Sequence, residues 1–247
     1  MHDIPKMAQR QLADYRRRQP GTLFADQDLS LDAATAYHLQ DAVTALRITE
    51  GDIITGYKVG CTGPGTRSQF GMDGPIRGTL FAGEVRQNDC RLQQKSFCHL
   101  AVEGEMAIKI AGDGQIIAAF PVIELHNFVF RSQQKTLSEL IANNGINAGI
   151  ILPGDNWQTA TDLIDDTANL SVHVNGVELG RDSLWPTAGG PAASLHWLKA
   201  HLDDFDIALR AGQIVLAGTN LGLYPVQAGD RVEVAVNGQP AVSCTVV

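Results

Sequence analysis

The chain has 247 residues, of which 44% are hydrophobic and 19% charged, and it carries a formal net charge of -8. That composition describes a soluble globular protein with room for a sizeable core, not a disordered chain or one that needs disulfides. The acidic balance argues against sequence-independent nucleic-acid binding, which needs surplus Lys and Arg, and no apolar run approaches the ~20 residues of a membrane span.

The first residues contain no apolar signal core, so a cytoplasmic address is the expectation. Ala8, Leu12 and Tyr15 fall on one helical face, and Arg16 to Arg18 read as a solvated end of that helix. A second helix follows, with Ser30 as candidate N-cap, Ala36, Leu39, Val43 and Leu46 as its apolar stripe, and Gly51 as terminator. After Gly51 the period changes to two. "DIITGYKVGC", "LAVEGEMAIKI", "QIIAAFPVIELH", "AGIILPG", "LSVHVNGVELG", "GQIVLAG" and "DRVEVAVNGQPAVSCTVV" read as strands, with Asn-Gly pairs at 175 and 237 as hairpin turns. One helix, "GGPAASLHWLKAHL", interrupts them, with Pro191 in its first turn. There is no internal repeat, and the four cysteines lack metal or redox spacing. The expected organisation is an α+β chain: an N-terminal helical segment, residues 1–50, packed on a β-rich core of mixed strands, residues 51–247.

Within that core a few residues could carry chemistry. On a strand, Glu103 and Glu105 share a face with Ala107 and Lys109. They either meet solvent or grip a hard divalent cation, which would relieve their mutual repulsion. Glu124 sits in an apolar run with no wet face, so its charge requires a neutralising Lys or Arg, or a metal completing a three-carboxylate set. Lys58 lies between Gly56 and Gly60, which leave space for a ligand beside its ammonium; the alternative is an edge-strand lysine that discourages aggregation. Gly218 and Thr219 end an apolar strand in a turn that is either an anion cradle or an ordinary tight turn. His126 and Asn127 could act as acid, base or orienting groups, or the histidine could be structural. The Gly-rich stretch 60–75 lacks nucleotide-binding spacing and reads as an active-site loop or a connection.

The order "DAVTALRITEGDIITGYKVGCT", "VEGEMAI", "PVIEL", "AGGPAASLHWLKAHL" and "LRAGQIVLAGTNLGLYPVQAGDRVEV" resembles the 2-keto-4-pentenoate hydratase and 4-oxalocrotonate decarboxylase family, within the fumarylacetoacetate hydrolase superfamily. The likeness runs from about residue 24 to the C-terminus. It implies a mixed-sheet core of the fumarylacetoacetate hydrolase C-terminal type, bound Mg²⁺ or Mn²⁺, and homo-oligomers built on dimers. By the family's pattern, Glu103, Glu105 and Glu124 would be the metal ligands. Lys58 would be the catalytic lysine, with His126 a second candidate for proton transfer. Gly218 and Thr219 would hold a substrate carboxylate, with Asn127 also placed at the substrate. The chain departs from the pattern after Glu124: the hydratases continue Asp-Ser-Arg where this chain has Asn127, Phe128 and Val129, and a later Asp-Asn pair appears here as Asn143 and Asn144.

The implied activity is hydration of a 2-hydroxydienoate or 2-keto-4-enoate to a 4-hydroxy-2-keto acid, in the catabolism of aromatic compounds. Decarboxylation of a 4-oxalocrotonate-type acid, acylpyruvate C–C hydrolysis and oxo-acid tautomerisation are the enzymatic alternatives. A weakly active subunit in complex with a related pathway enzyme is the other.

Overall fold

In the computed structural model, which describes residues 2–25, 29–63, 68, 71–72, 74–129, 135–165 and 167–247, the chain opens with helices α1 (Ile4–Arg16) and α2 (Ala33–Thr49). The cap of α2 is Asp32, not Ser30 as the sequence suggests; its Oδ1 accepts from Thr35 N at 2.7 Å. A carboxylate suits the positive end of a helix dipole better than a hydroxyl does, and here it also stands at the correct distance. Ala8, Ala36 and Leu39 pack with Leu140 and Ile141 of a short helix, Leu137–Ala142. That helix has six residues, too few for its period to stand out in the sequence, which leads one to expect a single helix after residue 51.

Thirteen strands follow among the described residues: β1 (Ile54–Gly60), β2 (Ile76–Phe81), β3 (Val85–Gln87), β4 (Cys90–Leu92), β5 (Leu100–Ile110), β6 (Ile116–Asn127), β7 (Asn147–Leu152), β8 (Asn169–Val174), β9 (Val177–Ser183), β10 (Ile214–Leu216), β11 (Tyr224–Pro225), β12 (Arg231–Val236) and β13 (Gln239–Val246). They form a large mixed sheet in the order β2-β1-β10-β5-β6-β7-β3, with β11 added to β5, and a smaller sheet in the order β4-β13-β12-β8-β9. Asn175 and Asn237, at φ 53° and 48° and each followed by a positive-φ glycine, make the two Asn-Gly hairpins that the sequence announces. The helix Gly190–Asp203 carries Leu195, Leu198 and Leu202 into the core.

One face of the large sheet packs on the small one. Val102, Met106, Ile108, Ile123 and Leu125 meet Val172, Val232, Val234 and Val242 there, and each such side chain contributes about 1.5–3 kcal/mol when fully buried. Gly104 permits this approach, because a Cβ on it would lie 2.4 Å from Val172 Cγ2. The large sheet then curls so that β2 returns against β7. Leu80, Ala107, Phe120, Val122, Ile150 and Leu216 therefore fill the space on its other face. Of the four β5 residues read as a possible solvent face, only Lys109 is exposed; Glu105 and Ala107 are buried and Glu103 is partly so. The curl turns that face inward, and the carboxylates stand at its mouth. Among the described residues no helix is long and apolar enough to cross a membrane.

Candidate active site

The site is assembled by strand register. Glu103 and Glu124 are direct cross-strand partners on β5 and β6, His126 follows Glu124 by two residues on the same face, and Glu105 follows Glu103 by two along β5. Lys58 enters from β1, which pairs in parallel with β10. Its stem runs through a slot made by glycines: a Cβ on Gly60 would lie 2.9 Å from Lys58 Cε, one on Gly78 would lie 3.0 Å from Cγ, and one on Gly145 would lie 3.2 Å from Cε. The space beside the lysine thus holds the lysine's own side chain. Gly56, the other glycine that the sequence assigns to it, serves a different end, since a Cβ there would sit 1.8 Å from Ile214 O and block the β1–β10 pairing.

Charge decides how these groups are held. Lys58 Nζ donates to Glu124 Oε1 at 2.7 Å and to Gly145 O at 3.1 Å. Asn147 Nδ2 donates to the same Glu124 oxygen at 2.7 Å. Glu124 Oε2 is left facing His126 Nε2 at 3.4 Å, and His126 Nε2 lies 3.1 Å from Glu103 Oε2. Glu105 Oε1 accepts from Gly218 N at 2.6 Å. Burial opposes ionisation of Glu124, but His126 and Lys58 outweigh it and hold its carboxyl well below the usual range. Burial, then the charges of Glu124 and Glu103, push the Glu105 carboxyl well above that range. Burial likewise opposes the charged forms of Lys58 and His126, and the surrounding carboxylates, Glu124 first, raise both. The sequence leaves open whether a lysine neutralises Glu124 or a metal does; the structure supplies the lysine and sets Glu103 and Glu105 close beside the pair.

A cavity of about 600 Å³ opens on this cluster, lined by Lys58, Glu103, Glu105, Glu124, His126 and Thr219 among others. Gly218 borders it with its amide already committed to Glu105, so that N–H is not available to a substrate carboxylate. Asn127, expected at the substrate, does not line the cavity. Strand alternation turns it away from Glu124 and His126, and its Oδ1 accepts from Cys98 N at 2.8 Å. Asn143 caps the short helix by donating to Glu139 O, and Asn144 bonds the backbone of Thr79 through both ends of its amide. The Gly-rich stretch 60–75 falls partly outside the described residues; Cys61, Thr62 and Gly63 of it line the cavity. Asn147 was not legible as a site residue, because only the β6–β7 register brings it to Glu124. Gly78 and Gly145 were not legible either, because what they accommodate is 20 and 87 positions away in the chain.

The donor set suits a divalent cation. Glu103, Glu124 and His126 each offer one ligand atom, all within 4.8 Å of one another. Three carboxylates border one cavity, and buried like charges require a positive centre to be ionised together. Nδ1 of the buried His126 has no hydrogen-bond partner among the described residues, so the ring's polar contacts are made through Nε2, which faces the carboxylates.

The chain belongs to the Fumarylacetoacetate (FAA) hydrolase C-terminal family, which matches residues 84–247. It is 26% identical to a 2-keto-4-pentenoate hydratase of Burkholderia vietnamiensis, over 87% of this chain and 86% of that protein. It is also 26% identical to a 4-oxalocrotonate decarboxylase of a Pseudomonas species, over 98% and 90% of the two chains. The fold matches that of 4-oxalocrotonate decarboxylase from Pseudomonas putida G7, complexed with magnesium and adipate, with a TM-score of 0.89 at 18% identity over 99% and 97% of the chains.

Proposed function

We propose that the chain is a divalent-cation-dependent lyase that hydrates 2-hydroxydienoate or 2-keto-4-enoate acids to 4-hydroxy-2-keto acids. The observation that carries this reading is the convergence of Glu103, Glu124 and His126, with Glu105 beside them, on a cavity that Lys58 also lines. The hydratase and decarboxylase names of the relatives, and the magnesium in the Pseudomonas putida structure, support it.

Glu103, Glu105 and Glu124 would hold Mg²⁺ or Mn²⁺, which when bound supplies a Lewis acid for the carboxylate and 2-oxo oxygens of the substrate. The remaining work falls to the chain. Asn147 and Lys58 fix one oxygen of Glu124 and leave the other facing the cluster. The Lys58 ammonium places fixed positive charge where enolate charge develops, in a buried setting that strengthens the interaction. Tautomerisation delivers a proton to C5 of the dienol; water then adds at C4 and a proton at C3. Thr219 and its neighbours form the wall against which the carboxylate end is oriented.

A second reading, decarboxylation of a 4-oxalocrotonate-type acid, is favoured by the near-complete coverage of the decarboxylase relatives. It uses the same stabilised enolate. The purified chain, and variants with Glu103→Gln and Glu105→Gln, should be assayed with Mg²⁺ or Mn²⁺ on dienol acids, with product masses recorded. Gain of one water supports the hydratase and loss of CO₂ the decarboxylase. Turnover undiminished in both variants would overturn the site.

A further inference from the structure

We infer that His126 binds the cation directly through Nε2, so that this chain's metal centre contains a nitrogen ligand and favours Mn²⁺-like transition cations over Mg²⁺. The inference rests on the cation-dependent reading above and adds to its carboxylate ligands.

Three observations carry it. First, His126 is 2% exposed and lies on the inward face of β6, two residues from Glu124. Second, its Nε2 lies 3.1 Å from Glu103 Oε2 and 3.4 Å from Glu124 Oε2. Adjacent ligand atoms of an octahedral ion are separated by √2 times the bond length, or about 2.8–3.7 Å over the bond lengths of Mg²⁺ to Ca²⁺. Both separations fall in that span, so Nε2 stands toward each carboxylate oxygen as a neighbouring ligand would, and the three atoms lie within 4.8 Å of one another. Third, Nε2 is the ring atom turned to the carboxylates.

Bound in this way, the ring would be neutral, with its one hydrogen on Nδ1 and the Nε2 lone pair free for the cation. Hard Mg²⁺ prefers an all-oxygen shell, whereas later first-row cations accept imidazole readily. The geometry therefore assigns His126 to the metal and not to the proton transfer that the resemblance suggests for it.

The metal-free chain should be titrated with Mn²⁺ and examined by pulsed electron paramagnetic resonance. A nitrogen coupling of the size produced by direct imidazole ligation is expected. In His126→Gln, Mn²⁺ should still bind through the glutamates, the nitrogen coupling should vanish, and the ratio of Mn²⁺ to Mg²⁺ affinity should fall by roughly tenfold. Mn²⁺ bound to the unaltered chain without nitrogen coupling would overturn the inference and leave the lyase reading intact. Failure to bind Mn²⁺ at all would overturn both. The spectrum of the unaltered chain decides the matter even if the variant does not fold, and a coupling that persists in a folded variant would also contradict the assignment.

Discussion

Two buried clusters of charge in this molecule are built on different terms. At the seam between α2 and β2, Arg77 is 0% exposed, and its guanidinium donates to Gln40 Oε1 at 2.9 Å and Asp41 Oδ2 at 2.7 Å. Tyr37 and Phe205 lie against it at 5.0 and 5.1 Å. One cation meets one carboxylate and two aromatic faces, so its charge is matched, although the buried Nε has no hydrogen-bond partner among the described residues. At the mouth of the curled sheet, Glu103, Glu105 and Glu124 stand together beside Lys58 and His126. Buried charge that balances holds a fold together; buried carboxylates that keep one another from ionising together leave a place for a cation.

Stability with and without a cation separates the two. Lys58→Met should have the largest effect, about 3–5 kcal/mol in the metal-free chain, because it strands Glu124 among other carboxylates. Thermal melts should show Mn²⁺ recovering part of that loss, since a bound ion stabilises the folded state by mass action. Arg77→Met should cost less, about 2 kcal/mol, because Asp41 retains some access to water. Its loss should not respond to cations, and turnover per folded molecule should be unchanged. A cation-dependent Arg77→Met would erase the distinction.

Asn147→Ala sharpens the contrast from inside the site. Removing the buried amide that holds Glu124 and accepts from Gly149 N should weaken Mn²⁺ affinity by roughly tenfold and cost about 1–3 kcal/mol of stability, as calorimetric titration and a melt would establish together.

The smallest effect belongs to the Arg77 seam. His201 stacks on Trp197 at 5.0 Å, and burial, then the Arg77 charge, lower its pKa to about 4 against the opposing pull of Asp204 and Asp41. The unfolded chain takes up this proton near pH 6.5 and the folded chain resists it, so stability should fall as the pH drops from about 6.5 to about 4 and then level for this group. In His201→Phe that part of the slope should disappear. An unchanged slope in pH-dependent denaturation would remove His201 from the account.

The sequence carried the fold further than the site. Asn175 and Asn237 mark hairpins because their chemistry is local, and the alternation of residues 100–110 is visible because a strand shows its two faces in order. The same alternation could not say that the sheet curls, and that curl alone turns Glu105 from a solvent residue into a buried one. Lys58 and Glu124 each showed a charge in need of a partner, yet 66 positions separate them, and only the β1-β10-β5-β6 order brings them together. Asn127 follows Glu124 closely in the chain, which suggests a place at the site, while the pleat of β6 turns it away. His126 is one residue from Asn127 and on the opposite face, a difference that composition does not record.

The most direct measurement of the central claim is a crystal of the chain grown with Mn²⁺ and oxalate, with data collected to locate manganese by its anomalous scattering. The account requires one strong peak within ligand distance of Glu103 and Glu124, with oxalate on its cavity side and Lys58 still against Glu124. A cluster holding no manganese, with His126 bridging Glu103 and Glu124 by hydrogen bonds alone, would contradict it.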